Sequence, residues 1–169
     1  MKTTSKILFF VLGSLLVQAQ ENTHRRFWIG VNAFPSFAKT AEYPLSPRVG
    51  YWVNKKLLLG VEGRFDLNRT SSLTSSAMGV FGRYYVGNGK VTFFPHLSLN
   101  HETFKKRDAG LSMSGLVTHP GVGVRFGRLN KRFGVELLLE KPLALQSKVA
   151  DFGNLQNQFR FTIGLSFSF

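Results

Sequence analysis

Cysteine is absent from this chain of 169 residues, which excludes a disulfide framework and any metal site built on thiolates. Acidic residues are scarce: nine Asp and Glu stand against 22 Lys and Arg, and the formal net charge is +13. Beyond the N-terminal segment the sequence has no run of about 18 apolar residues, so no transmembrane helix is predicted.

The basic balance first suggests a nucleic acid or another anionic partner. Charged residues nevertheless make up only 18% of the chain, whereas aromatic residues make up 14% and Phe alone fills 17 positions. This combination favours a membrane protein whose basic groups lie near lipid phosphates. No nucleic-acid partner is expected, since the chain also carries an export signal.

That signal occupies residues 1–19, which have the three parts of a secretory signal peptide. Two lysines precede an apolar stretch at 7–17, which is too short to span a membrane as a helix. Small or neutral residues at 17–19 fit a cleavage site. We therefore expect cleavage after Ala19 and a single mature domain over 20–169.

Residues 158–169, QFRFTIGLSFSF, carry the clearest structural pattern. Every odd position is large and apolar, and every even position is polar or glycine. Side chains in a strand alternate between two faces, so this segment predicts a strand with one fully apolar face that ends on Phe169. A transmembrane β-strand needs about 9–11 residues and shows the same alternation.

The alternation recurs along the chain and predicts an all-β fold. Eight strands are predicted, near residues 26–33, 48–53, 57–67, 76–86, 91–100, 112–127, 133–140 and 158–169. Short turns near residues 54, 88 and 129 alternate with long loops at 35–45, 68–75, 102–111 and 142–157. Short turns on one side and long loops on the other are typical of outer-membrane barrels, and an even strand count leaves both termini on the short-turn side.

The two faces of these strands differ in charge. The apolar face carries none, and a charge there would cost about 2–4 kcal/mol at the bilayer midplane. Its aromatic residues cluster beside the short turns and the termini: Phe27, Tyr51, Tyr84, Phe93, Phe126, Phe133, Phe167 and Phe169. The other face carries many glycines and the charged residues Arg26, Arg48, Glu62, Arg64, Asp66, Arg83, Arg125, Glu136, Glu140 and Arg160.

The interior of an eight-stranded barrel is only wide enough for side chains. The charged face therefore predicts a packed polar lumen rather than an open pore. Unpaired buried charges are costly, so arginines and carboxylates on neighbouring strands are expected to pair into a structural network. The alternative interpretation of the same residues is a gated ion path or a ligand site.

The terminal strand ending in Phe169 and the eight two-faced strands resemble the small bacterial outer-membrane barrels of the OmpA/OmpX-like kind. The resemblance implies an antiparallel up-and-down transmembrane barrel, monomeric, in the outer membrane. It also implies that the barrel-assembly machinery reads the C-terminal strand. The competing interpretation is a soluble secreted barrel of the lipocalin kind with its apolar face inward, which the glycines on the polar face disfavour.

A candidate catalytic element is His96-Leu97-Ser98, which is similar to the His-x-Ser element of the outer-membrane lipid A deacylase family. That chemistry uses a serine, a histidine base and an orienting acid. Alternation places His96 and Ser98 on the lumen side, whereas lipid cleavage needs them to face lipid, and the nearest acid, Glu102, has no convincing spacing. A catalytic role is therefore a weak alternative. With His101 and His119, His96 forms no close ligand pair on one face, so no metal and no cofactor are expected.

Basic residues also occur in the predicted loops, at Lys39, Arg69, Lys105, Lys106, Arg107 and Lys148. Phosphates of lipopolysaccharide would attract them, and we interpret them as matching the charge of the lipid surface. The function expected from the sequence is a structural, adhesion or surface-interaction role in the outer membrane. The alternatives are a narrow channel for ions or small solutes and a lipid A-modifying enzyme.

Overall fold

A computed structural model of the chain describes residues 26–33, 44–66, 73–106, 110–129, 131–145 and 159–169. The described residues form one antiparallel sheet of nine strands: β1 Phe27–Ala33, β2 Pro44–Trp52, β3 Leu57–Asp66, β4 Leu73–Tyr84, β5 Val91–Lys106, β6 Leu111–Phe126, β7 Phe133–Glu140, β8 Leu143–Ala144 and β9 Arg160–Ser168. No helix within these ranges is long and apolar enough to cross a membrane. The predicted signal peptide at 1–19 lies outside the described residues.

The sheet closes into a barrel because the first and last strands pair. β1 lies between β2 and β9, with Trp28 opposite Ser168 and Ala33 opposite Ile163. Phe27 and Phe169 exchange two backbone hydrogen bonds of 3.0 Å at the end of this seam. β9 then pairs with β7, β7 with β6 and β6 with β5, which completes the ring.

β7 and β8 are two parts of one barrel strand. Both pair with β6 in a single register, in which Gly121 faces Glu140 and Val117 faces Ala144. Pro142 separates them, because proline has no backbone N–H to donate to the ladder. The barrel therefore has eight strands, and the predicted all-β, eight-stranded antiparallel fold is confirmed.

Side chains alternate between the inside and the outside of the barrel as the sequence pattern predicts. In β1, the burial of successive residues alternates without exception. The outside is apolar, and Met78 exposes 73% of its surface there. Aromatic residues of the outer face lie exposed beside the short turns: Phe27, Tyr51, Tyr84, Phe93, Phe126, Phe133, Phe167 and Phe169. An apolar band flanked by aromatic side chains is the surface that a lipid bilayer requires.

The predicted strand ends are wrong where strands continue beyond the apolar band. The segment 102–111 was predicted to be a loop, but β5 runs to Lys106 and β6 starts at Leu111. The two strands stay paired there, with Thr103 opposite Ser114 and Lys105 opposite Ser112. Their outward side chains are polar, so the apolar alternation fades although the backbone pairing continues.

Three other predicted loops are shorter than the sequence suggested. The loop predicted at 35–45 gives way to β2 at Pro44, and the loop predicted at 68–75 gives way to β4 at Leu73. The segment 142–157 contains the short strand β8. In each case the part of the strand next to the loop contains polar residues or proline, so the alternation of apolar and polar residues is interrupted there.

The outward face of β4 offers a direct test of its contact with lipid. Val80 is exposed and its pairs with Val61 and Leu99 place it within the apolar band, whereas Thr74 lies on the same face of the strand beside Lys105. We expect Val80→Arg to lower the free energy of unfolding by about 2–4 kcal/mol and Thr74→Arg by about 0–1 kcal/mol. Urea unfolding in lipid vesicles measures both. Equal losses for the two variants would contradict a lipid-facing band.

Candidate functional site

The inward residues of the eight strands converge on one filled lumen. Of the residues predicted for its polar network, seven are buried: Arg48, Glu62, Arg64, Arg83, Arg125, Glu136 and Glu140. The side chain of Arg160 is 18% exposed, and that of Asp66 lies outside the described part of the structure. Arg26, which alternation assigned to the inner face, is exposed; it lies at the end of the barrel, just before β1, where its carbonyl accepts a hydrogen bond of 2.9 Å from Trp52.

Glu136 joins two arginines in the half of the lumen nearest the short turns. Its two carboxylate oxygens lie 2.6 Å from Arg83 Nη1 and 2.9 Å from Arg125 Nη1. Ser166 donates a hydrogen bond of 3.0 Å to the same carboxylate, and the Tyr85 hydroxyl lies 3.4 Å from it. This half of the lumen therefore holds two guanidinium groups around a single carboxylate.

Aromatic rings enclose Arg83. Its guanidinium carbon lies 5.1 Å from the ring of Trp28, 5.2 Å from that of Phe81 and 4.8 Å from that of Phe94. Cation–π attraction strengthens when the pair is desolvated, as here. The rings belong to a buried apolar cluster that fills the barrel at this level: Trp28, Trp52, Leu58, Phe81, Tyr85, Phe94 and Leu138.

A second ionic cluster fills the half of the lumen away from the short turns. Arg48 Nε lies 2.6 Å from Glu62, and Arg64 binds Glu140 at 2.8 Å and Glu102 at 3.0 Å. Asn100 donates a hydrogen bond of 2.7 Å to the other oxygen of Glu62. These contacts join four strands, because their partners lie on β2, β3, β5 and β7.

Glu102 is a lumen residue that lies in a segment predicted to be a loop. It is buried and accepts contacts from Arg64, from His119 Nε2 at 2.7 Å and from Arg160 Nη1 at 3.9 Å. The inward residues of β5 have even numbers, and this pattern continues through Glu102 to Phe104. It is the sequence signal that could have identified Glu102 as a lumen residue. The polar outward neighbours Thr103 and His101 concealed that signal.

The candidate catalytic pair lies inside the barrel. His96 and Ser98 are 3% and 1% exposed, which keeps them from the surrounding lipid. His96 Nδ1 accepts a hydrogen bond of 3.1 Å from Arg83 Nε, and the Ser98 hydroxyl accepts one of 3.3 Å from Asn100. Each side chain is thus engaged in the lumen network. Within the described ranges no group of three or more His, Asp or Glu side chains could hold a metal ion.

The closed barrel, the apolar outside and the charged, filled inside together give the architecture of an outer-membrane β-barrel domain. Among solved structures, the crystal structure of the N-terminal β-barrel domain of Pseudomonas aeruginosa OprF is similar to the chain, with a TM-score of 0.67 and 12% identity. The match covers 86% of this chain and 100% of that one. At this identity it shows the fold alone. No family model and no curated protein match the sequence, so kinship with OmpA/OmpX-like barrels stays a prediction.

Removal of the carboxylate that two arginines share tests the lumen network. Glu136→Gln leaves Arg83 and Arg125 buried without their shared negative partner. We expect it to lower the free energy of unfolding by about 3–5 kcal/mol, the usual cost of breaking a buried ion pair from one side. Urea unfolding in lipid vesicles measures the loss.

The double variant Glu136→Gln/Arg125→Met serves as the matched control. It removes one of the two buried cations that lack a negative partner in Glu136→Gln. The double variant should therefore be more stable than Glu136→Gln alone. If the double variant is less stable than the single one, charge pairing is not what stabilises this half of the lumen.

Proposed function

We propose that this chain is a sealed outer-membrane barrel with a structural or surface-interaction role. The observation that carries the proposal is the filled lumen. Large side chains that are less than 2% exposed, among them Trp28, Arg83, Phe94 and Arg125, occupy its interior. A barrel whose interior is filled in this way leaves no path for solutes. It is suited instead to a structural role in the membrane or to contacts made by its exposed surface.

The sheet that extends beyond the apolar band supports a role in surface contacts. β5 and β6 have 16 residues each, whereas about 9–11 residues span a bilayer. Beyond the band, β4, β5 and β6 remain paired and form a projecting sheet over residues 73–76, 101–106 and 111–114. The outward side chains of this sheet are polar, and Lys105 is exposed on it.

The partners proposed for the chain follow from this placement. We propose that Lys105, which is exposed on the projecting sheet, contacts phosphates of lipopolysaccharide. Four other basic residues proposed for the same contact, Lys39, Arg69, Arg107 and Lys148, lie outside the described residues, as does the side chain of Lys106 at the end of β5. The C-terminal strand, which ends at Phe169, remains the proposed signal for the barrel-assembly machinery, and the proposed state is a monomer.

The other candidate functions fit the lumen less well. A hydrolase built on His96 and Ser98 would need its substrate to enter a space that neighbouring side chains already fill. A channel would need ions to pass Arg83 and the three rings around it. We therefore rank both below the sealed barrel.

Conductance across a planar bilayer tests the sealed lumen. We expect the purified barrel to give no unitary current steps. The variant Trp28→Ala/Phe81→Ala/Phe94→Ala, which removes the rings around Arg83, should give steps while keeping the shift in gel mobility between unboiled and boiled samples. Phe27→Ala/Tyr51→Ala, which removes two outward rings, is the matched control and should stay silent. Steps from the unmodified barrel would overturn the proposal.

A trimmed variant tests the role of the projecting sheet. Glu102 and Gly115 face each other in the β5–β6 ladder, so an Asn-Gly turn can replace residues 103–114. We expect this variant to keep the heat-dependent gel shift and the silent lumen. Cells that display it should lose attachment to surfaces and to one another relative to cells with the full barrel. Unchanged attachment would exclude the sheet as the contact surface.

A further inference from the structure

The short-turn end of the barrel carries a rim of basic side chains that the lumen network does not use. The basic rim consists of seven residues, six exposed and Lys56 half-buried: Arg26, Lys55, Lys56, Lys90, Arg128, Lys131 and Arg132. They come from the segment before β1 and from all three short turns. Gly127 donates a backbone hydrogen bond of 2.7 Å to Lys90, which joins two of these turns directly.

No acidic side chain in the described part of this end neutralises the basic rim. The described residues there, 26, 53–56, 85–90, 127–129, 131–132 and 169, include no Asp and no Glu. None of the seven cations forms an ion pair with a described residue. The acidic side chains that the structure describes at Glu62, Glu102, Glu136 and Glu140 are all buried in the lumen.

The spacing of the cations makes this end strongly positive. Eight strands about 4.8 Å apart and tilted by about 40° give a backbone circumference of about 50 Å, or one cation per about 7 Å of rim. The Debye length at physiological ionic strength is about 8 Å, so neighbouring cations repel one another. An anionic surface that meets the whole rim would relieve this repulsion.

The depth of the basic rim identifies that surface. Exposed aromatic residues of the outer face lie one to three residues away from it: Phe27 directly follows Arg26, Phe133 directly follows Arg132, and Phe93 lies three residues after Lys90. Aromatic belts lie at the level of the lipid headgroups, and long basic side chains near them extend to lipid phosphates. The rim therefore lies where headgroups are, rather than deep in the aqueous compartment.

From this geometry we propose that the basic rim binds anionic phospholipid headgroups of the leaflet that surrounds the short-turn end. The barrel would gather such lipids into a ring around its base. This inference goes beyond the role proposed above and requires only that the barrel spans a bilayer. It would hold whether or not the lumen conducts and whether or not the projecting sheet makes contacts.

Site-specific quenching at one position within β4 and one just beyond its end tests the proposal, and the absence of cysteine from the chain makes single labelling sites available. Val86→Cys lies beside the rim, and Met78→Cys lies on the same face about 26 Å further along the strand. Both positions are exposed. Each variant, labelled with bimane, is folded into phosphatidylcholine vesicles that contain a nitroxide-bearing phosphatidylglycerol or phosphatidylcholine.

At about 0.01 M salt, phosphatidylglycerol should quench the label at position 86 about threefold more than phosphatidylcholine does, because several rim cations lie near it. At about 1 M salt, where the Debye length is about 3 Å, the ratio should fall to about one. Arg128→Gln/Lys131→Gln/Arg132→Gln should lower the ratio at position 86 and leave the ratio at position 78 unchanged.

A ratio of one at position 86 in the unmodified rim, or a ratio that the triple variant does not lower, would overturn the proposal. Sedimentation of the barrel with purified peptidoglycan tests the alternative that the basic rim binds peptidoglycan rather than anionic lipid. If peptidoglycan binding requires the three basic residues while the quenching ratio is one, the rim serves the cell wall and not lipid. The heat-dependent gel shift of each variant verifies that the barrel has folded.

Discussion

The pairing of β1 with β9 is the constraint on which the rest of this structure depends. The hydrocarbon of a bilayer offers no hydrogen-bond partners, so a sheet that crosses it must have no free edge. Closure at eight strands fixes a narrow interior that side chains must fill. Because every second residue of each strand points into that interior, the charged and aromatic residues found there become obligatory neighbours.

Those neighbours divide the lumen into two electrostatic layers. Away from the short turns, carboxylates on β3, β5 and β7 receive arginines from β2 and β3. Near the short turns, Glu136 is the one described carboxylate that receives Arg83 and Arg125, and the rings around Arg83 add cation–π contacts. Buried ion pairs thus connect strands that are far apart in sequence. Removal of one partner lowers the free energy of unfolding by more than the intact pair contributes to it, because the other charge stays buried without a partner.

The sequence sufficed for the parity of every strand, for the strand count and for the inward position of seven buried charged residues, because alternation is a local property. It was wrong for Arg26, which is exposed just before β1. It failed at Glu102 and in β8, where polar outward residues and Pro142 interrupt the apolar signal. The ion pairs themselves could not be derived. Arg64 and Glu140 form an ion pair although they are 76 positions apart in sequence. Which residues pair depends on the stagger between neighbouring strands. A local sequence pattern does not contain that stagger.

The seam between β1 and β9 also determines when the barrel can exist. Asn32 donates to Thr162 across 130 positions of sequence, so the ring closes only after almost the whole chain is present. Contacts of such long range make folding slow. Until closure, both end strands expose unpaired edges that other chains could join. The long separation of β1 and β9 in sequence therefore makes the formation of this seam the folding step most exposed to pairing with other chains.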